Sequence, residues 1–384
     1  MNIQLLCHLI LSRLAIPIIN CKLASNKRIM KKNIFLLALI IFVFASCKIT
    51  LYERETKDKT IYKSVVIDTL FEDNISIRAI VVDQNKIWYA ANNSRFGFYD
   101  LKKNLKIEKN IDKDSLKLEF RSNAQTTNAV FLLNVANPAL LYKVSKKNIA
   151  TRLVYQESHE KVFYDSMKFW NDKEGIAMGD PITDCLSIIV TRDGGNTWNK
   201  IPANKLPQIA DGEAAFAASN TNIVIKGNHT WIVSGGKKAR VFYSADKGST
   251  WEVYNTPIVQ GKAMAGIFTA DFYNSKIGFV AGGDYESLNQ NYGNKAITYD
   301  GGKNWELISE NQGFGYASCI QYVPHSNGKS LVSVGASGLY YSYDGGYSWE
   351  QFFADKDLFT IRFVDKHTAI AAGKNKMIRI KFLK

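Results

Sequence analysis

One eight-residue pattern occurs four times in the second half of this chain, in the order S/T-x-D-x-G-x-T/S/N-W. Its aspartate, glycine and tryptophan are Asp193, Gly195 and Trp198; Asp246, Gly248 and Trp251; Asp300, Gly302 and Trp305; and Asp344, Gly346 and Trp349. Aspartate can accept hydrogen bonds from turn amides, glycine takes positive φ, and tryptophan packs between sheets. The pattern therefore predicts four hairpins whose shared residues have structural roles.

The spacing of these hairpins points to one architecture. The four tryptophans recur at intervals of about 45 to 55 residues, the length of a four-stranded propeller blade that buries its faces against its neighbours. The chain has 21 Phe and 19 Tyr but only seven Pro, a composition that suits strands. We predict an all-β fold, a seven-bladed β-propeller of four-stranded blades. Unrelated hairpins in a β-sandwich are the alternative.

Counting outward from the hairpins gives the predicted blades. The third to sixth blades fall at 160–205, 211–257, 262–308 and 314–353, and two units without the hairpin pattern precede them at 77–111 and 118–155. Residues 358–383 supply only three strands. Residues 62–69 can supply the fourth, so that an N-terminal strand closes the ring and no edge stays free. Six or eight blades remain open alternatives.

The N-terminal region carries the features of an export signal. From Met30 two lysines precede an apolar run, two small residues and Cys47, which is the order of a signal peptide. Phe44-Ala45-Ser46-Cys47 resembles a bacterial lipobox, although Phe44 stands where Leu is usual. We predict an upstream extension or mis-assigned start at 1–29, a lipoprotein-type signal peptide at 30–46, a linker at 47–59 and the propeller at 60–384.

The resemblance to a lipobox implies lipidation of Cys47. The protein would then be an exported, membrane-anchored lipoprotein of the bacterial cell envelope, facing the periplasm or the cell surface. A signal peptide that is cut nearby without lipidation is the alternative. Cys185 and Cys319 would lie three blades apart, beyond the reach of a disulfide, so we expect two buried free thiols.

Charge gives little indication of a nucleic-acid partner. Without the six basic residues of positions 1–47, the net charge falls from +14 to about +8, and that excess is spread along the chain. Nucleic-acid binding usually needs a clustered basic patch. We therefore expect no nucleic-acid partner, and we expect a monomer.

The hairpin pattern resembles the Asp-box, or BNR repeat, of sialidases and related propellers. Together with the stretches FYDSMKFWNDKEGIAMGDP and GFVAGGD, it makes residues 60–384 similar to the photosystem II stability/assembly factor-like propellers. The resemblance implies a seven-bladed fold, and photosynthetic members of that family are assembly factors that bind membrane-protein intermediates. Similar sequences sometimes carry the label oxidoreductase. The resemblance carries the fold to this chain and leaves its function open.

Candidate ligand-binding groups converge on the face where the innermost strands begin. They are Asp165, Asp180, Glu213, Arg240 and Asp284. Asp180 and Asp284 follow glycines and could equally cap turns, and Arg240 could simply pair with a nearby carboxylate. Lys237, Lys238, Lys262 and Tyr316 lie near the same face.

Sequence motifs for cofactors and metals are missing. The chain has no G-x-G-x-x-G after a strand, no Walker loop, no H-E-x-x-H and no C-x-x-C, and its five histidines are scattered. Sialidase activity would need an arginine triad, but Phe120-Arg121-Ser122-Asn123 departs from the usual Phe-Arg-Ile-Pro. We therefore predict no cofactor and no metal.

Three functional hypotheses follow. The first is a lipid-anchored, non-catalytic binding or assembly module for a protein or glycan of the cell envelope. The second is a glycan-acting hydrolase that uses two of the carboxylates Asp165, Asp180, Glu213 and Asp284, which would have to lie about 5 to 9.5 Å apart. The third is an oxidoreductase.

Overall fold

The computed structural model describes residues 61–111 and 116–384, and this part is built almost entirely from β-strands. The predicted signal peptide, the linker and Cys47 lie outside the described residues. Thr60–Lys384 forms one compact unit. No helix within 61–111 and 116–384 has the length and apolarity needed to cross a bilayer.

The strands follow one another with short connections. Those of the first half are β1 (Ser64–Asp83), β2 (Lys86–Ala91), β3 (Arg95–Asp100), β4 (Leu105–Asn110), β5 (Phe120–Gln125), β6 (Ala129–Asn134), β7 (Ala139–Ser145), β8 (Thr151–Glu157), β9 (Tyr164–Phe169), β10 (Gly175–Gly179), β11 (Ser187–Thr191) and β12 (Asn199–Lys200). A short 3₁₀ helix, Ala203–Lys205, follows β12.

The second half continues the same pattern. Its strands are β13 (Glu213–Ala214), β14 (Ile223–Lys226), β15 (His229–Val233), β16 (Gly235–Gly236), β17 (Arg240–Ser244), β18 (Glu252–Asn255), β19 (Ala265–Phe272), β20 (Gly278–Asp284), β21 (Lys295–Thr298), β22 (Glu306–Leu307), β23 (Ala317–Tyr322), β24 (Leu331–Gly335), β25 (Gly338–Ser342), β26 (Glu350–Phe353), β27 (Leu358–Asp365) and β28 (Thr368–Leu383).

The described strands form an all-β propeller of six sheets, so the predicted count of seven blades is wrong. Four sheets have four strands: β5 to β8, β9 to β12, β14-β15-β17-β18 and β23 to β26. The other two have six strands, β27-β28-β1-β2-β3-β4 and β13-β16-β19-β20-β21-β22. The count falls because β1 has 20 residues and β28 has 16. These long strands run without a break through the units predicted as the first and last blades and join them into one sheet.

The predicted closure by an N-terminal strand is confirmed. The first part of β1 pairs antiparallel with β28, with Ser64 opposite Leu383 and Ser76 opposite Lys374. From Ile77 onward β1 pairs instead with β2. The two ends of the propeller are therefore joined by backbone hydrogen bonds.

The fourth predicted blade differs from the observed sheet. We placed its start near residue 211, but its innermost strand β14 begins at Ile223. The short strand β13 pairs instead with β16, which extends the sheet of β19 to β22. Residues 215–222 lie in no strand, and we refer to them as the central segment.

The four repeated hairpins share one hydrogen-bond pattern. In the first, Asp193 Oδ1 accepts from the backbone N–H of Asn196 and Thr197, at 2.9 and 3.0 Å, and Asp193 Oδ2 accepts from Thr197 Oγ1 at 2.8 Å. Thr191 Oγ1 accepts from the backbone N–H of Gly195 at 2.9 Å. The aspartates of the other three hairpins accept from equivalent groups. These carboxylates are thus engaged within their own turns.

The hairpins also pack against neighbouring sheets. The Trp198 ring lies 6.2 Å from Phe131 of the preceding sheet, and Trp349 lies 5.9 Å from Phe279 of its preceding sheet. Gly195 has φ +73°, and a Cβ there would stand 2.2 Å from the Phe131 ring. Glycine therefore permits both the turn and the close contact between sheets. The expected thiols are also found, since Cys185 and Cys319 are free and buried.

Candidate binding face and central segment

The central segment fills the axis of the propeller. All eight of its residues are buried, and hydrogen bonds through its side chains and carbonyls join it to six strands of the five other sheets, β1 and β27 belonging to the same sheet. These strands are β1, β5, β9, β19, β23 and β27. Because the segment contacts all sides of the axis, it separates two ends of the propeller. We call the end where the innermost strands begin the mouth face, and the other the hairpin face.

Two residues of the segment carry most of these bonds. Asn220 donates through Nδ2 to the Asn123 carbonyl at 2.6 Å and accepts through Oδ1 from the backbone N–H of Met167 at 2.9 Å. Ser219 donates through Oγ to the Ser318 carbonyl at 2.6 Å. Asn220 has φ +60°, a conformation that asparagine tolerates better than most residues. The segment is thus held by side-chain hydrogen bonds instead of a strand ladder.

Asp165 and Asp180 lie together on the mouth face. Asp165, on β9, is fully buried, and neither of its carboxylate oxygens has a partner among the described residues. Burial raises its pKa well above the ordinary value, the charge of Asp180 raises it further, and Arg121 opposes the shift. Asp180, just after β10, accepts from the backbone N–H of Ala215 at 2.8 Å. Burial raises the pKa of Asp180 to about 6.

Glu213 and Arg240 form a separate ion pair. Arg240 Nε lies 3.0 Å from both carboxylate oxygens of Glu213, and Nη2 lies 2.5 Å from one of them. The Glu213 side chain is wholly buried, and it also accepts from Ser234 and from the backbone N–H of Ala210. Its hydrogen-bonding capacity is therefore used within the protein.

Asp284 is likewise engaged. Its Oδ2 lies 2.6 Å from Lys262 Nζ, and its Oδ1 accepts from the backbone N–H of Glu286 at 2.9 Å. The hydrogen bond from Lys262 lowers the pKa of Asp284. Of the four carboxylates that the sequence singled out, the structure thus brings Asp165 and Asp180 together and places Glu213 and Asp284 in two other pairs.

An aromatic cluster lies at the mouth face, and of its members only Tyr316 was expected there from the sequence. Phe216 stacks on Phe268 at 3.9 Å, and Tyr316 meets Phe268 edge-on at 4.7 Å and Tyr285 at 5.1 Å. The four residues come from the central segment, β19, the β20–β21 loop and the start of β23. No local pattern distinguishes Phe216, Phe268 and Tyr285 from ordinary core aromatics, because only the arrangement of the sheets around the axis brings them together.

Arg78 lies beside this cluster. Its guanidinium sits 4.2 Å from the centre of the Phe359 ring and donates to the Ala218 carbonyl at 3.3 Å. Arg78 forms no salt bridge within residues 61–111 and 116–384, and Glu119, whose charge acts on it, pairs with Arg121 instead. Burial lowers its pKa, and the nearby charge of Arg121 lowers it further. The mouth face therefore holds a cation whose charge is not neutralised by an ion pair.

The loop at residues 285–294 presents apolar side chains beside the cluster. Tyr285, Leu288 and Tyr292 are 45%, 40% and 52% exposed. Backbone hydrogen bonds nevertheless order the loop, from Ser287 to Asp284 at 2.9 Å and from Tyr316 to Leu288 at 2.8 Å. The exposed side chains therefore stand on a fixed support.

The described residues contain no group of three or more His, Cys, Asp or Glu side chains that could hold a metal ion. Asp165 and Asp180 interact as a pair, and the hairpin carboxylates are engaged in their turns.

Comparisons with known proteins show the fold. No protein-family profile matches the chain, and no curated protein matches it either. Among solved structures, YCF48 bound to a D1 peptide is similar, with 15% identity, 84% of this chain and 96% of that chain covered, and a TM-score of 0.61. YCF48 from Cyanidioschyzon merolae is similar with 10% identity, coverage of 84% and 99%, and a TM-score of 0.59. The WD40 repeats of RRP9 share 10% identity, coverage of 84% and 100%, and a TM-score of 0.59. At these identities the likeness establishes a β-propeller fold and nothing about activity.

Proposed function

We propose that this protein is a non-catalytic binding module that holds an extended segment of a partner protein on its mouth face. The observation that carries the proposal is the ordered loop with exposed Tyr285, Leu288 and Tyr292, next to the aromatic cluster and Arg78. Exposed apolar groups that lie close together mark interaction sites in soluble proteins.

The residue types support a protein partner. Tyrosine and arginine are enriched among the residues that dominate binding energy in protein interfaces. Because the loop is already ordered, little conformational entropy would be lost on binding. Arg78 lacks an ion pair with any described residue, and this favours a partner segment with a carboxylate near its apolar side chains.

The structural neighbours also support a protein partner. One of them is YCF48 in complex with a D1 peptide, so a propeller of similar architecture binds a peptide. The low identity means that the residues used by that protein cannot be carried over to this chain. The proposal therefore depends on the mouth face of this chain itself.

A peptide display library of random twelve-residue sequences tests the proposal. Purified protein would be compared with a mouth variant, Tyr285→Ala/Leu288→Ala/Tyr292→Ala, and with a control variant, Tyr299→Ala/Tyr343→Ala/Tyr347→Ala. The control removes three tyrosines that are 54%, 42% and 48% exposed on the hairpin face. We expect selected peptides to bind the wild type and the control and to lose at least tenfold in affinity for the mouth variant. Peptides that bind all three proteins equally, or a failure to select any peptide, would contradict the proposal.

We further propose that the four hairpins are Asp-boxes and that lipid on Cys47 anchors the protein to a membrane of the cell envelope. The order of charge, apolar run, small residues and cysteine at 30–47 supports the anchor. Cys47→Ser should move the protein from the membrane fraction to the soluble fraction of an expressing bacterium, as measured by fractionation and immunoblotting. An unchanged membrane fraction would contradict lipid anchoring at this residue.

A glycan-acting hydrolase is the second candidate. The observation that favours it is the buried pair of Asp165 and Asp180, because a carboxyl whose pKa is raised can serve as a general acid. Incubation with peptidoglycan fragments and mass spectrometry would reveal cleavage, which should disappear in Asp165→Asn and Asp180→Asn. Intact fragments with the wild-type protein would count against hydrolysis, and binding without cleavage would identify a glycan as the partner.

A further inference from the structure

A cavity opens at the hairpin face, on the opposite side of the central segment from the mouth face. It has a volume of about 370 Å³ and lies where β9, β14, β19 and β23 end. Lys168, Lys226, Arg362 and Asp271 are its charged lining residues. Three cations thus face one carboxylate.

The carboxylate is already engaged. Asp271 Oδ1 accepts from the backbone N–H of Phe272 at 2.9 Å and lies 3.9 Å from Lys226 Nζ. Its Oδ2 accepts from the backbone N–H of Tyr322 at 2.8 Å. Asp271 therefore offsets at most one of the three positive charges.

Arg362 is fixed in place by neutral groups. Its Nη1 donates to the Ile361 carbonyl at 2.7 Å and to Cys319 Sγ at 3.2 Å, and its Nη2 donates to the Ser219 carbonyl at 3.1 Å. No described residue accepts from its Nε–H, and no described carboxylate pairs with it. The guanidinium is oriented, but its charge is not neutralised.

Lys168 has neither a hydrogen bond nor an ion pair with any residue in the described part of the chain. Burial, reinforced by the facing charge of Arg362, lowers the pKa of Lys168 to about 7. Cys319 and Asp271 oppose the shift, and Lys226 adds to it. Lys168 is half-buried and lines the cavity, so an ammonium there loses part of its contact with water without gaining a partner, and an anion in the cavity would relieve that cost.

We propose that the cavity is a binding site for a small, doubly charged anion, held by Lys168, Lys226 and Arg362. Charged hydrogen bonds to such an anion are about twice as strong as neutral ones, and the low dielectric of a partly enclosed site strengthens them further. The volume falls in the range of small-molecule pockets. The site is separate from the mouth face, so it stands independently of the proposed protein-binding function.

Calorimetric titration of the purified chain with sulfate tests the site, because sulfate keeps two negative charges between pH 6 and 8. We expect binding at pH 6.5 that weakens at least tenfold in Lys168→Met and persists in Lys168→Arg. Lys173→Met is the matched control, since Lys173 is exposed on the same face and its side chain has no partner among the described residues. Parallel titrations with inorganic phosphate and with succinate distinguish a phosphate from a dicarboxylate as the preferred chemistry.

The pH dependence separates direct binding from a structural effect. Because Lys168 must be protonated to bind the anion, the affinity of the wild type should fall toward tenfold per pH unit above pH 7. Above pH 7, where free Lys168 is mostly neutral, binding should also take up close to one proton, measurable as a different heat in two buffers, and both effects should vanish in Lys168→Met. Absence of binding by all three anions, or binding that Lys168→Met leaves unchanged, would overturn the proposal.

Discussion

The buried Glu213 shows how single residues on the mouth face depend on their partners. Its carboxylate is balanced by Arg240, whose side chain is 17% exposed. Lys237 and Asp211 form another pair on the same side of the molecule, but their side chains are 59% and 97% exposed. An ion pair in water contributes little to stability, whereas a buried charge without its partner is costly.

Arg240→Ala should therefore lower the free energy of unfolding by about 3 to 5 kcal/mol, because it leaves the Glu213 carboxylate buried and unpaired. Lys237→Ala should change it by less than about 0.5 kcal/mol. Urea denaturation measures both. Equal stability of the two variants would show that the Glu213–Arg240 pair is not buried in solution.

Asp180 should make stability depend on pH in an unusual direction. Its pKa is raised from 3.8 to about 6 in the folded protein, so between about pH 4 and pH 6 the folded state binds more protons than the unfolded state. The free energy of unfolding contributed by this group therefore falls as pH rises through that window. The difference in stability between Asp180→Asn and the wild type should grow in favour of the variant from pH 4 to pH 6, as measured by urea denaturation. A constant difference for Asp180→Asn across this range would contradict the raised pKa.

At the scale of elements, the central segment is the largest departure from the predicted blades. Residues 215–222 replace a strand with a buried stretch whose hydrogen bonds reach all five other sheets. The segment also separates the mouth face from the hairpin-face cavity. The mouth face and the hairpin-face cavity therefore both depend on the central segment keeping its folded position.

Substitution of Asn220 tests the role of the segment. Asn220→Ala removes its hydrogen bonds to Asn123 and Met167 and places alanine at φ +60°. We expect a loss of about 2 to 4 kcal/mol in the free energy of unfolding. Asn220→Gly should lose about 1 kcal/mol less, because glycine takes positive φ without steric cost. Urea denaturation of both variants, with exposed Asn289→Ala as the control, would refute this role if Asn220→Ala behaved like the control.

At the scale of the whole molecule, closure of the ring depends on the two chain ends. The first part of β1 pairs with β28 from Ser64 to Ser76, and this pairing is a contact between residues about 310 positions apart. Without it, β28 would expose an unpaired edge. Closure should therefore contribute to cooperative unfolding of the whole propeller.

A chain that starts at residue 76 should lose the single cooperative unfolding transition shown by a chain that starts at residue 61. Adding a synthetic peptide of residues 61–75 should restore it, because the peptide can supply the missing strand. Thermal unfolding followed by circular dichroism measures the transition. If the shorter chain unfolds as cooperatively as the longer one without the peptide, the N-terminal strand is not needed for closure.

Four features could be predicted from the residues alone: the all-β class, the repeated hairpins, the pairing of the N-terminal strand with the C-terminal one, and the two free thiols. Alternation of apolar and polar residues, turn residues and repeat length are local signals, so they predict strands and hairpins without knowledge of distant contacts. Three features became known from the three-dimensional arrangement: β1 and β28 continue and leave six sheets, residues 215–222 lie on the axis, and Asp165 interacts with Asp180 while Glu213 pairs with Arg240. These features depend on contacts between residues that are far apart in the chain. Which group neutralises a buried charge depends on which strands pack next to each other around the axis.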